Sequence, residues 1–180
     1  MEEKRSQSLA ELHSSLHSPV AEIRDAGLKR VKDEGGLSTV AELVRLRSET
    51  DENTVQKQVD DVLRGLKLEG AGEALLHAAL ESDDAEQLPA LLACLWECGG
   101  TAEGHLKALS TRCVEIGMPV MVEALTLMEA LPEVVDDEAD LLEAMLVLQQ
   151  GIEALKGGNA ESQVTLLAMM WKTLSERERA

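Results

Sequence analysis

The chain has no phenylalanine, no tyrosine and only two tryptophans among its 180 residues. Without large rings its core must be aliphatic, packed from Leu, Ala, Val and Met, most of which are strong helix formers. No stretch alternates β-branched and polar residues as a half-buried strand would, so the fold is read as all-α. Long apolar runs are also missing: nowhere do about eighteen apolar residues follow one another, which excludes a membrane-spanning helix. The opening MEEKRSQSLAELHSS has charges at once and no apolar h-region, so a cytoplasmic location is expected. Cysteine is scarce and odd in number, at Cys94, Cys98 and Cys113. Two of the three fall four apart on one helix, where a bridge between successive turns would constrain little, and reduced thiols are expected.

Positive charge is in short supply. There are 17 Lys and Arg against 34 Asp and Glu, for a net charge of −17. The deficit is uneven: residues 51–150 hold twenty-one acids and five bases, a net −16, while both ends are close to neutral. That middle would repel a phosphate backbone, so no nucleic-acid partner is expected. No Gly-rich phosphate loop, nucleophile elbow or His-Glu-x-x-His is present.

What is present is helical periodicity, 44% apolar residues and 28% charged ones, enough for one domain with a sizeable core. The stretch Leu88–Gly100, LPALLACLWECGG, is apolar nearly all round and is expected to be a buried central helix, with Trp96 in the core alongside Leu92, Leu95, Leu125 and Leu148. Before it, Leu9, Leu12 and Leu16 mark a first helix. Ser18-Pro19 is expected to cap and open a second with a buried stripe of Val20, Ile23, Gly27, Leu28 and Val31. Leu37, Val40, Leu43, Val44 and Leu46 mark a third, and Asp51 is expected to cap a fourth bearing Val55, Val59, Val62, Leu63 and Leu66. Leu75, Leu76, Ala79 and Leu80 mark the fifth, and Ser82 to Asp84 offers caps for the sixth. Further stripes are Leu106, Leu109 and Val114; Met121, Val122, Leu125, Met128 and Leu131; Leu141, Met145, Leu148, Ile152 and Leu155; and Val164, Leu167, Ala168, Trp171 and Leu174. Pro132 ends the eighth helix and Asp136-Asp137-Glu138 opens the ninth.

The breaks Gly35/Gly36, Gly70/Gly72 and Gly99/Gly100 recur about every 30–35 residues, the length of a helical repeat. Each break is read as lying between the two helices of a pair. Pairs with so much apolar surface must stack, giving a right-handed α-solenoid of about five helix pairs over residues 1–180, with capping helices at 1–17 and 159–177.

Pro19 followed by Gly35 and the helix STVAELVRL resembles a HEAT-repeat unit. LPALLACLWECGG followed by PVMVEALTLMEAL resembles the central part of small HEAT-like proteins of Bacteroidota-type bacteria, although that group places Phe or Tyr where Thr101 to Leu109 has none. The resemblance covers most of the chain and implies a scaffold for protein interactions, with the second helices of the pairs lining a concave face. On that face Glu42, Arg45, Glu73 and His77 are the expected protein-binding residues.

Other constellations were weighed against blander explanations. Cys94, Cys98, His105 and Cys113 outline four soft ligands, but structural zinc sites use tighter cysteine pairs in loops, and core cysteines fit better. His13 and His17 are four apart with no third ligand and read as a solvated face. Glu81-Asp83-Asp84-Glu86 and Glu133-Asp136-Asp137-Glu138-Asp140 lack the calcium-loop pattern and fit helix capping. Trp171 is expected to be partly exposed. No catalytic, cofactor or metal residue is therefore assigned, and oligomeric state is left open. The leading expectation is a non-enzymatic scaffold or adaptor holding a basic protein or peptide, and the second is an inhibitory or immunity-type partner of a basic enzyme. An enzyme of the DNA glycosylase or bilin lyase kind, which HEAT-like folds include, would need a site absent here, and a glycosylase would need a basic groove.

Overall fold

In the structure, a computed structural model that describes residues 2–82 and 84–178, with side chains for 6–82 and 84–177, a helix forms at each of the ten expected places, although the seventh, expected from about Ala102, starts only at Leu106. No strand occurs among the described residues. The helices are α1 (Glu2–Leu16), α2 (Ala21–Glu34), α3 (Leu37–Glu49), α4 (Asn53–Arg64), α5 (Ala71–Glu81), α6 (Leu88–Glu97), α7 (Leu106–Ile116), α8 (Met118–Glu129), α9 (Glu138–Leu155) and α10 (Glu161–Glu178). None is long and apolar enough to cross a membrane. The chain divides into two compact units, residues 1–100 and 101–180. The first holds twenty acids and eleven bases and the second fourteen and six, so each carries about half of the negative charge.

In the first unit α1 packs on α2, α3 on α4 and α5 on α6, making three helical hairpins. Contacts of α1 with α3 and α3 with α5 form one layer, and contacts of α2 with α4 and α4 with α6 form the other. Between them lie Leu12, Leu16, Leu28, Val31, Leu43, Leu63, Leu75, Leu92 and Leu95, all buried. This corrects the expected pairing. The extensive neighbours of α2 are α1 and α4, not α3, so Gly35-Gly36 joins consecutive hairpins and does not lie within one. Gly70 does the same between α4 and α5, with a left-handed φ of 79° that a side chain would oppose.

Turns inside the hairpins also differ from expectation. Helix α2 starts at Ala21 with Val20 as its N-cap, and the Ser18 hydroxyl accepts from the Val20 amide at 3.2 Å, so Pro19 precedes the helix. Glu52, not Asp51, is the N-cap of α4, and Thr50 accepts the Glu52 amide. In both places a short side-chain turn satisfies an amide at the helix entrance that has no acceptor within the helix.

Several stripe positions are exposed. Val20 and Ile23 (48% exposed) precede the buried part of α2, and Leu37 opens α3 at a helix end. Trp96 is the larger correction, at 41% exposed. Leu88, Leu91, Leu92 and Leu95 form the buried stripe of α6, whose extensive neighbours in its unit are α4 and α5, and Trp96 lies on the side with Pro89 and Ala93. An all-round apolar sequence therefore does not bury all sides. Leu92, Leu95 and Leu148 are fully buried and Leu125 nearly so.

The second unit contains two hairpins, α7 with α8 and α9 with α10, joined by contacts of α7 with α9 and α8 with α10. Leu106, Leu109, Met121, Leu127, Met128, Leu148, Leu167 and Leu174 are its buried centre, while Val114 and Val122 stay partly exposed. Carboxylates bind the hairpins end to end. Asp140 of α9 accepts the first two amides of α7, from Leu106 at 2.6 Å and Lys107 at 3.0 Å. Glu103 accepts the Asp136 amide at 2.9 Å in return. At the other end, Arg177 donates to the Glu129 carbonyl at 3.0 Å.

Candidate functional site

Glu42, Arg45 and Glu49 recur on α3 at spacings of three and four, which place them on one side of the helix. Arg45 lies between the two carboxylates, 3.5 Å from Glu42 and 3.4 Å from Glu49. From the end of α1, His17 reaches the same pair: its Nε2 is 2.9 Å from Glu42 and its Nδ1 3.4 Å from Glu49. One turn earlier, His13 Nε2 is 3.1 Å from the hydroxyl of buried Thr39. His13 and His17 are therefore not a solvated face. They fasten α1 to α3, and the sign of this in the sequence was their position next to Leu12 and Leu16, the buried stripe of the same helix.

Helix α5 lies beside α3 in that layer and carries Glu73, His77 and Glu81. His77 Nδ1 is 3.1 Å from Glu81, with both side chains more than half exposed. Glu73 is exposed and makes no ion pair among the described residues. The four expected binding residues thus lie on neighbouring helices of one layer but are not brought together: Glu42 and Arg45 belong to the His17 network, His77 pairs with Glu81, and Glu73 stands apart. Next to the network is a cleft of about 280 Å³ lined by His17, Arg24, Glu49 and Glu52, with Arg24 3.6 Å from Glu52. Sequence reasoning missed Glu49 and Glu52, because their neighbours His17 and Arg24 come from the end of α1 and the first turn of α2.

Exposed carboxylates outnumber the exposed cation on this surface. Glu49 on α3 and Glu73 and Glu81 on α5 are exposed, and each can accept charge-assisted hydrogen bonds from an incoming ammonium or guanidinium.

The cysteines behave as small core groups. Cys94 lies with its Sγ 3.8 Å from the Asp60 carbonyl, and burial, together with the Asp60 carboxylate, pushes its thiol up to about 12. Burial pushes Cys113 to about 12 as well. Cys98 is less buried, with its Sγ 3.1 Å from the Leu95 carbonyl. Among the described residues no three His, Cys, Asp or Glu side chains converge as a metal site would require.

Capping accounts for much of the acidic clusters. Asp84 accepts from the Glu86 amide at 2.9 Å and from the Gln87 side chain at 2.8 Å, just ahead of α6. Asp137 caps α9 by accepting the Asp140 amide. Asp83 lies outside the described residues. Trp171 is half-buried. No family model, no curated protein and no solved structure matches this chain.

Proposed function

We propose that the protein is a HEAT-like α-solenoid scaffold of about five helical hairpins, without catalytic activity, that holds a basic protein or peptide against the layer formed by α1, α3 and α5. The observation carrying this reading is the excess of exposed carboxylates over cations on α3 and α5, where Glu49, Glu73 and Glu81 are exposed and Arg45 is the one exposed arginine. Hairpin-on-hairpin packing within each unit supports the repeat character. A lysine or arginine of the partner enters the cleft between Glu49 and Glu52, and further cations meet Glu73 and Glu81 along the neighbouring helix. Charge of this kind acts over about a Debye length, ~8 Å at physiological salt, so it guides the encounter more than it holds the complex.

The test is capture of partners from the native cell at low and moderate salt, followed by association kinetics with the captured protein. Glu73→Lys is expected to slow association several-fold while leaving helicity intact, and added salt is expected to slow it further. An acidic partner, or a basic one whose association rate ignores both the substitution and the salt, would overturn the proposal.

A further inference from the structure

The cleft beside the His17 network contains a cation that its surroundings leave unsatisfied. Arg24, in the first turn of α2, lines the cleft with 13% of its side chain exposed. Its Nε is buried without a partner, and among the described residues the guanidinium makes no hydrogen bond. The ion pair with Glu52, at 3.6 Å, supplies opposite charge but is too long to be one. Other arginines held away from water differ. Arg47, 9% exposed, donates to both Asp60 oxygens at 2.7 and 3.4 Å, and Arg177, 19% exposed, donates to the Glu129 carbonyl. A guanidinium so far out of water is expected to find acceptors for its donors.

The rest of the cleft has the opposite charge and an apolar lining. Glu49 and Glu52 stand at it with more than half of their side chains exposed, and Pro19 and buried Leu46 supply carbon surface. Its volume of about 280 Å³ is just below the roughly 300–1,000 Å³ of pockets that enclose a drug-sized ligand, which is room for one residue and not for a partner's strand or helix. Charge narrows the occupant further. An anion alone would meet Glu49 and Glu52. A cation alone would lie beside Arg24 and leave its donors unmet. An occupant that satisfies both signs carries a carboxylate and a cation joined by a short apolar stem.

We infer that this cleft receives the C-terminal residue of the basic partner, a lysine or arginine with a free α-carboxylate, which rests on the reading of the α1, α3 and α5 layer as the surface that holds such a partner. The α-carboxylate accepts from the terminal N–H groups of Arg24 as a paired guanidinium–carboxylate contact. Glu49, and Glu52 once released from Arg24, accept from the side-chain ammonium or guanidinium, and the methylene stem lies on Pro19 and Leu46. A basic residue inside the partner's chain has no α-carboxylate and leaves Arg24 as it is.

Charge gives the contact a distinctive sign. Removing the positive charge of Arg24 makes the protein more acidic, so general attraction alone would strengthen its hold on a basic peptide, whereas loss of the carboxylate's partner weakens it. Amidation makes the peptide more positive, and again the two effects point opposite ways.

The test is fluorescence anisotropy of N-terminally labelled Gly-Ser-Gly-Ser-Gly-Lys, as the free acid and as the C-terminal amide, titrated with the full chain at about 50 mM salt. The free acid is expected to bind about ten- to a hundredfold tighter than the amide. Arg24→Gln should abolish that preference and Arg24→Lys restore part of it, with helicity by circular dichroism unchanged. Should Arg24→Gln lose its fold, Glu49→Gln with Glu52→Gln, both at exposed positions, should weaken binding of the free acid instead. Glu73→Lys should keep the preference, which separates this result from the partner-binding test. Absence of binding by either peptide, an amide that binds as tightly as the acid, or a preference that survives Arg24→Gln would each overturn the inference. None of these touches the wider reading, which fails when the captured partner is acidic or its association ignores both salt and Glu73→Lys.

Discussion

Gly72, in the first turn of α5, and Gly100, just past α6, touch backbone to backbone: a methyl group on Gly72 would stand 2.9 Å from the Gly100 Cα, and one on Gly100 would stand 3.2 Å from the Gly72 Cα. The same methyl on Gly100 would collide with the Leu95 side chain. Their closeness lets the end of the α6 segment fold back over the start of α5, with the Gly100 amide donating to the Leu95 carbonyl at 2.9 Å.

Gly100→Ala is therefore expected to destabilise the protein by about 1–3 kcal/mol, because either Leu95 or the backbone must shift. Leu95→Ala, which opens a void at a fully buried position, is expected to cost roughly 2–5 kcal/mol. Urea denaturation measures both. A loss below about half a kilocalorie for either would mean that this corner yields freely.

Asp140 holds the start of α7 from a distance of more than thirty residues along the chain. Asp140→Ala strands two amides at that helix end and should cost about 1–2 kcal/mol, with Asp140→Asn costing less because one carbonyl oxygen can still accept. Hydrogen exchange at Leu106 and Lys107 reports the same event locally, and should accelerate in Asp140→Ala.

Thiol chemistry should distinguish the cysteines. With Cys94 and Cys113 pushed to about 12 by burial, neither offers thiolate near neutral pH. Native protein treated with a thiol reagent at pH 8 is expected to modify Cys98 first, with Cys94 and Cys113 reacting only after unfolding. Mass mapping of the labelled peptides checks the order, and rapid labelling of Cys113 would contradict its burial.

Asp84 provides a pH dependence. The hydrogen bond from Gln87, and then that from the Glu86 amide, hold its carboxyl below the usual range, so the folded state binds this proton less readily than the unfolded chain. Its contribution is present above the ordinary carboxylate value of about 3.9 and fades as pH falls through the lower folded value. Parallel unfolding series on the native protein and Asp84→Asn should show a difference at neutral pH that closes as pH falls below the ordinary carboxylate range. A difference that widens on acidification would reverse this assignment.

Part of the candidate surface was readable without coordinates. Glu42 and Arg45 share a face because they are three apart on one helix, and Glu73 and His77 because they are four apart on another. His17 and Glu52 were not readable as neighbours of that surface. They reach it from turns whose positions depend on how the helices pack, and helical spacing carries no information across a turn.

The amino-acid sequence by itself determined that the chain is helical, where nearly every helix lies and which residues form most of the core. Glycine, proline and the spacing of leucines act through local backbone freedom and one helix's own periodicity, so they are legible in a single segment. Tertiary structure alone decided which helix pairs with which. A helix with an apolar stripe can bury it against the helix before or the helix after, and Gly35-Gly36 serves as a junction in either arrangement. The choice rests on contacts between residues far apart in the chain, such as Asp60 with Arg47 at 2.7 Å and Asp140 with the α7 amides. The same long-range packing left Trp96 exposed on an apolar helix and turned His13 and His17 inward, because burial depends on where neighbouring helices lie as well as on a residue's own hydrophobicity.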